Sequence, residues 1–291
     1  MAVLNQTPQI TGCPGRRSMV AKWALRSAIA CVASLAIYTA SSAREPNSPT
    51  TYLPATPFSI VDVIPPAPVV GDPRYEADRA IFLTTRALQN SDRWRLATRD
   101  VSENPADLLQ DFSCAAGLRL TPEKAPRLTA LLVAAAADTA RVNNEAKNRF
   151  QRARPFTIDA GPICQPAAEV VNSYDYPSGH TTRGWTWATL LAQLLPERAA
   201  PILARGRAYG ESRIVCGVHN ASAVEAGRLS ASATLTVMQR TPRFQTDMRA
   251  ALRELDLLKR KASAIALACS PSDQTIPSIF APRHLPEPVG P

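Results

Sequence analysis

Apolar residues recur along this chain with the three-to-four-residue period of helices, and no run of alternating β-branched residues stands out. Asp72-Pro73 offers a cap and a first helical position, followed by Ala77, Ala80, Ile81, Leu83 and Leu88 on a helical pattern. A short helix is predicted over 93–101, and another from near Pro105 to Gly117. Thr121-Pro122 opens a long one, with Leu128, Leu131, Leu132 and Ala135 sharing a face. Trp187, Leu190, Leu191 and Leu194 mark the helix that follows His180, and a further helical stretch from about Glu197 ends near Ser212-Arg213. Ser222-Ala-Val-Glu225 has the form of a capping box, which makes Ala223 the first helical position and Glu225 the third. A last helix is expected over 244–265. The fold class is therefore all-α: a single-domain helical bundle of about ten helices over residues 72–265. Proline-rich stretches flank it, an extended arm at 44–71 and a C-terminal tail at 266–291.

Composition is that of a globular protein, 45% hydrophobic and 20% charged, so a sizeable core is available. The net charge is +9, but Arg16, Arg17, Lys22 and Arg26 lie in the first 43 residues, which hold no acid. The remaining surplus of +5 suits an anion-attracting cleft, and no basic block with interleaved aromatics argues for nucleic acid. Residues 1–43 read as a signal peptide: basic residues, an apolar run at 28–37, and Ser41-Ser42-Ala43 before Arg44, with Met1 or Met19 as the start. The apolar run falls short of the ~20 residues of a membrane span, so no stable membrane insertion is expected once it is cleaved. A periplasmic or secreted location follows. Cys114, Cys164, Cys216 and Cys269 then remain, an even number that suggests two disulfides with three possible pairings. The pairing favoured here is Cys114 with Cys164 and Cys216 with Cys269. The spacing lacks a C-x-x-C pair, and no metal site is expected.

The candidate chemistry lies in three segments. In Lys147-Asn-Arg-Phe-Gln-Arg-Ala-Arg154-Pro155 the seven-residue spacing puts Lys147 and Arg154 on one helical face, with Pro155 limiting continuation. Tyr176-Pro177-Ser178-Gly179-His180 precedes a helix, where free backbone N–H groups and a hydroxyl suit an anion, and glycine lets the backbone approach it. Ser212-Arg213-Ile-Val-Cys-Gly-Val-His219 contributes a cation, a tight Cys216-Gly217 turn and a second histidine. The third histidine, His284, falls in the proline-rich tail.

Taken jointly and in order, these segments resemble the K-x6-RP, PSGH and SR-x5-H-x3-D signature of the bacterial class A non-specific acid phosphatases, in the superfamily of type 2 phosphatidic acid phosphatases and vanadium haloperoxidases. Phe112-Ser-Cys-Ala, Ser173-Tyr-Asp-Tyr-Pro-Ser-Gly-His180, Arg205-Gly-Arg-Ala-Tyr-Gly-Glu-Ser-Arg213 and Glu225-Ala-Gly-Arg228 extend the likeness over roughly residues 65–260. The resemblance implies metal-independent hydrolysis of small phosphomonoesters, with no cofactor, in a homo-oligomer. It makes His219 the nucleophile that forms a phosphohistidine and His180 the general acid. Lys147, Arg154, Ser178, Gly179 and Arg213 would bind the substrate phosphate.

One position departs from the signature: Ala223 stands where the family has an acid that orients the nucleophilic histidine. Glu225 is a poor substitute, since two residues along a helix turn through about 200°. A backbone carbonyl, the Asn220 side chain or water are the other candidates. The departure leaves two alternatives to an active phosphatase of altered rate: a catalytically weakened phosphate- or phosphoester-binding homologue, and a vanadate-dependent haloperoxidase.

Overall fold

The computed structural model describes residues 51–261, 269 and 276–280, all within one compact unit, Thr50–Pro291. The predicted signal peptide, the first part of the arm, His284 and most of the C-terminal tail lie outside the described residues.

Among the described residues there are eight α-helices and no strand. They are α1 (Pro73–Thr85), α2 (Asp92–Arg99), α3 (Pro105–Ala116), α4 (Pro126–Phe150), α5 (Gly179–Leu194), α6 (Ala199–Val215), α7 (Ala221–Met238) and α8 (Pro242–Lys261). Their ends follow local chemistry. Asp72 accepts from the Arg74 N–H at 2.8 Å with Pro73 as the first helical residue, and Asn104 accepts from the Ala106 N–H at 2.9 Å. Gly117 closes α3 in the left-handed conformation at φ 70°.

The long helix starts later than Thr121-Pro122 suggested. Residues 121–125 form a turn, and Pro126 takes the first helical position. The reason is tertiary: Glu254 of α8 accepts from the Arg127 and Leu128 N–H groups at 3.1 and 2.9 Å, capping α4 from another helix.

Helix α5 lies at the centre, packed against α4, α6 and α7. Its apolar face, Trp187, Leu190, Leu191 and Leu194, joins Leu108 and Phe112 of α3, Leu128, Leu131 and Leu132 of α4, and Leu255 of α8 in the main core. A side chain on Gly206 of α6 would collide with Ala188 of α5, so the two backbones touch there. That close approach brings the C-terminal end of α6, with Ser212 and Arg213, beside the N-terminal end of α5. A smaller apolar cluster of Ile60, Ile64, Val142, Ala146, Tyr176, Ala223 and Ala226 underlies the same end of the bundle.

Two disulfides are present, Cys114–Cys269 and Cys164–Cys216. Both differ from the favoured pairing. Spacing along the chain could not reveal that Cys164 runs alongside Cys216, where its N–H donates to the Cys216 carbonyl at 3.0 Å. No described helix is long and apolar enough to cross a membrane.

Candidate active site

All three sequence segments converge at the N-terminal end of α5. Lys147 lies in the last turns of α4, where its Nζ donates to the Tyr174 carbonyl at 2.9 Å. Arg154 does not share its helix, contrary to the spacing argument. Helix α4 stops at Phe150, Gln151 turns left-handed at φ 49°, and Arg154 follows on extended backbone. Its guanidinium is fixed by Nε donating to the Ser173 carbonyl at 2.6 Å and Nη1 to the Val218 carbonyl at 2.7 Å.

Ser178 caps α5, its Oγ accepting from the Thr181 N–H at 3.3 Å and the Thr181 hydroxyl at 3.0 Å. Its own hydroxyl proton is left to donate. Gly179 is the first residue of α5, and a Cβ placed on it would meet open space, so the helix end faces a void on that side. Arg213 is completely buried in the last turn of α6; one amino group donates to Gln165 Oε1, while Nε and Nη1 find no partner among the described residues. Buried guanidinium donors are costly without an acceptor, and a tetrahedral oxyanion supplies several.

His180 and His219 differ in their surroundings. The His180 Nε2 lies 2.9 Å from the Val101 carbonyl, which can only accept, so the proton stays on Nε2. Its Nδ1 faces the Glu103 carboxylate at 3.5 Å. Burial, and then the charge of Arg213, pushes the His180 pKa down to about 3. A bound dianion would oppose the Arg213 effect and raise it.

His219 follows the Gly217 turn, where φ is +80°. Burial pushes its pKa well below 6.5, and Arg154, Lys147, Arg213 and His180 each push it further the same way. Its Nε2 lies 3.2 Å from Arg154 Nη1. Arginine carries donors only, so Nε2 is the unprotonated nitrogen and the proton resides on Nδ1.

The Nδ1 partner is a residue the sequence reading missed. Asp175 Oδ1 lies 3.0 Å away and also accepts from the Asn220 N–H at 3.1 Å. Its Oδ2 accepts from Asn220 Nδ2 at 2.8 Å and faces Arg152 Nη1 at 3.5 Å. The Asp175 pKa is raised overall, because burial outweighs the opposing pull of Arg152, Asn220 and Arg154. With donors on both oxygens, the group is placed to act as a carboxylate.

Arg152 is held in turn by Asp78 Oδ2 at 2.9 Å and the Ser222 hydroxyl at 2.8 Å. Ser222 donates to Asp78 through both its N–H and its Oγ. The expected capping box is therefore absent. Asn220 occupies the cap position, Ala221 is the first residue of α7, and the Ser222 hydroxyl is engaged across the molecule. Glu225 points to solvent and pairs with Arg228 at 2.8 Å. Ala223 is buried in the smaller apolar cluster. In the sequence Asp175 was visible only as a member of the Ser173–His180 stretch of the likeness, with no role assigned, 44 residues from the histidine it faces.

Residues 127–247 match the PAP2 superfamily. An acid phosphatase of Zymomonas mobilis subsp. mobilis is 40% identical over 199 residues, covering 68% of this chain and 75% of that protein. Non-specific acid phosphatases of Providencia stuartii and Salmonella typhimurium are 32% and 31% identical, covering 68% and 66% of this chain and 81% and 78% of theirs.

Proposed function

The chain belongs to the PAP2 superfamily, among its bacterial acid phosphatases, and on that footing we propose that it hydrolyses phosphomonoesters through a phosphohistidine on His219. The observation that carries this reading is the buried His219, whose Nε2 faces Arg154 Nη1 at 3.2 Å, with Lys147 and Arg213 near enough for their charges to act on the ring. The three cations bind the equatorial oxygens of the phosphoryl group, helped by the Ser178 hydroxyl and the Gly179 N–H. Phosphoryl transfer relies mainly on such positioning and charge stabilisation, and these cations do the work often given to a metal ion.

In the first step the His219 Nε2 lone pair attacks phosphorus as the bond to the leaving oxygen breaks. Because Val101 holds a proton on Nε2, His180 acts as the imidazolium, the form that Glu103 and the bound dianion favour, and gives that oxygen its second proton from Nδ1. In the second step water attacks phosphorus, His180 takes a proton from it, the N–P bond breaks and phosphate leaves. The depressed pKa of His219 keeps the nucleophile neutral in mildly acidic solution, as an acid phosphatase requires.

Two disulfides support a site of action outside the reducing cytoplasm. The alternative, a weakened phosphate-binding homologue, draws on Ala223; the carboxylate at His219 Nδ1 favours turnover over it. The test is rapid alkali quench of the mature protein with an aryl phosphate. A phosphoryl group stable to alkali and labile to acid is expected on His219, with turnover undiminished by EDTA. Turnover equal to that of a His219→Ala control would overturn the proposal.

A further inference from the structure

We infer that Asp175 is the positioning residue for the reaction, and that it supplies from the segment before α5 the carboxylate that this chain lacks at position 223. The inference rests on the reading of His219 as nucleophile and specifies how that histidine is aimed.

Three observations carry it. The tautomer is determined from both sides: Arg154 can only donate to Nε2, and Asp175 Oδ1 stands 3.0 Å from Nδ1 to accept its proton. The carboxylate is itself held rigidly, because the Asn220 N–H and Nδ2 grip both its oxygens and Arg152 stands beside Oδ2. Arg152 belongs to a second buried pair with Asp78, so the support of Asp175 reaches back to α1. Finally, position 223 is unsuited to a carboxylate here. Ala223 is fully buried and belongs to the cluster of Ile60, Ile64, Val142, Ala146 and the Tyr176 ring, a largely apolar setting.

The arrangement works as the aspartate of a serine protease triad does. It keeps the imidazole in one tautomer with the reactive lone pair directed at the substrate, and it stabilises the positive charge that grows on the ring as the N–P bond forms. Asn220 acts one step further out: it replaces no carboxylate, but its N–H and side-chain amide hold the one that is present.

The decisive comparison uses Asp175→Asn and Ala223→Asp, each in the full mature chain, alongside His219→Ala. Asp175→Asn should lower kcat by about a hundredfold to ten-thousandfold, as loss of an orienting carboxylate does elsewhere. KM and the inhibition constant of inorganic phosphate should change less than about threefold, because the cations that bind phosphate are untouched. A purely structural role for Asp175 would instead raise both along with the fall in kcat, and that result would overturn the inference. Ala223→Asp in the otherwise unaltered chain should leave kcat unchanged or lower. A tenfold gain would mean that His219 lacks an orienting acid, and would also overturn it.

A nitrogen-15 NMR spectrum of the unmutated protein needs no variant to fold. It should show His219 protonated on Nδ1 and bare on Nε2, and the opposite tautomer would sink the inference. If His219→Ala retains turnover, the proposed function itself fails. If His219→Ala is inactive while Asp175→Asn retains full kcat, only the role of Asp175 fails.

Discussion

The alkaline side of the pH profile offers a test of the anion cradle that depends on one side chain. Lys147 is buried beside Arg154, and burial first and that neighbouring charge second bring its pKa from 10.5 down to about 8. The displacement corresponds to roughly 3 kcal/mol of differential interaction disfavouring the charged amine in the free enzyme. The sign follows directly. Below pH 8 the ammonium is present and can bind phosphate; above it, the binding-competent fraction falls about tenfold for each pH unit. At pH 7 about nine-tenths of the molecules carry the charge, and at pH 9 about one-tenth do.

The assay is kcat/KM for an aryl phosphate between pH 6 and 10, since this ratio reports the ionisations of free enzyme and free substrate. The ester's second ionisation, at about pH 6, is complete in the relevant range and cannot produce a limb near 8. Lys147→Arg supplies the control. A guanidinium stays charged throughout, so the limb at about pH 8 should vanish whatever the absolute rate of the variant. Saturating substrate should move the limb upward in the unmutated protein, because a bound dianion favours the charged amine. A limb near pH 8 that persists in Lys147→Arg would refute the assignment of Lys147 to the phosphate site.

Two further predictions concern the frame around the site. The Cys164–Cys216 bridge closes a sequence separation of 52 residues, so the Cys164→Ser/Cys216→Ser protein should lose about 4 kcal/mol of stability on the chain-entropy view, visible in calorimetry as a Tm lower by roughly 10 °C; an unchanged Tm would show that the bridge constrains little. Gly179→Ala should leave the Tm unchanged or slightly higher, since the added methyl meets nothing and alanine is the better helix former, yet lower kcat/KM at least about tenfold by intruding where the phosphate is expected. Full activity in that variant would place the anion elsewhere.

The helices were legible in the sequence because their determinants are local. Apolar periodicity, Asp72-Pro73, Ser178 at the start of α5 and Gly117 after α3 act within a turn or two of their own position, and the helices formed there. The cationic and histidine residues were legible for a related reason: few in kind and grouped in three segments, they marked a candidate phosphate site before any distance was known. What the sequence left open was everything decided between segments. The start of α4 is moved by a carboxylate on α8, the cysteines pair by proximity that spacing does not encode, and Ser222 leaves its expected cap to bind Asp78. The orienting group of His219 belongs to the same class. A hydrogen bond needs only that two atoms meet at about 3 Å, whatever the length of chain between them, so the missing acid at position 223 could be supplied by Asp175 only once the fold had brought it there.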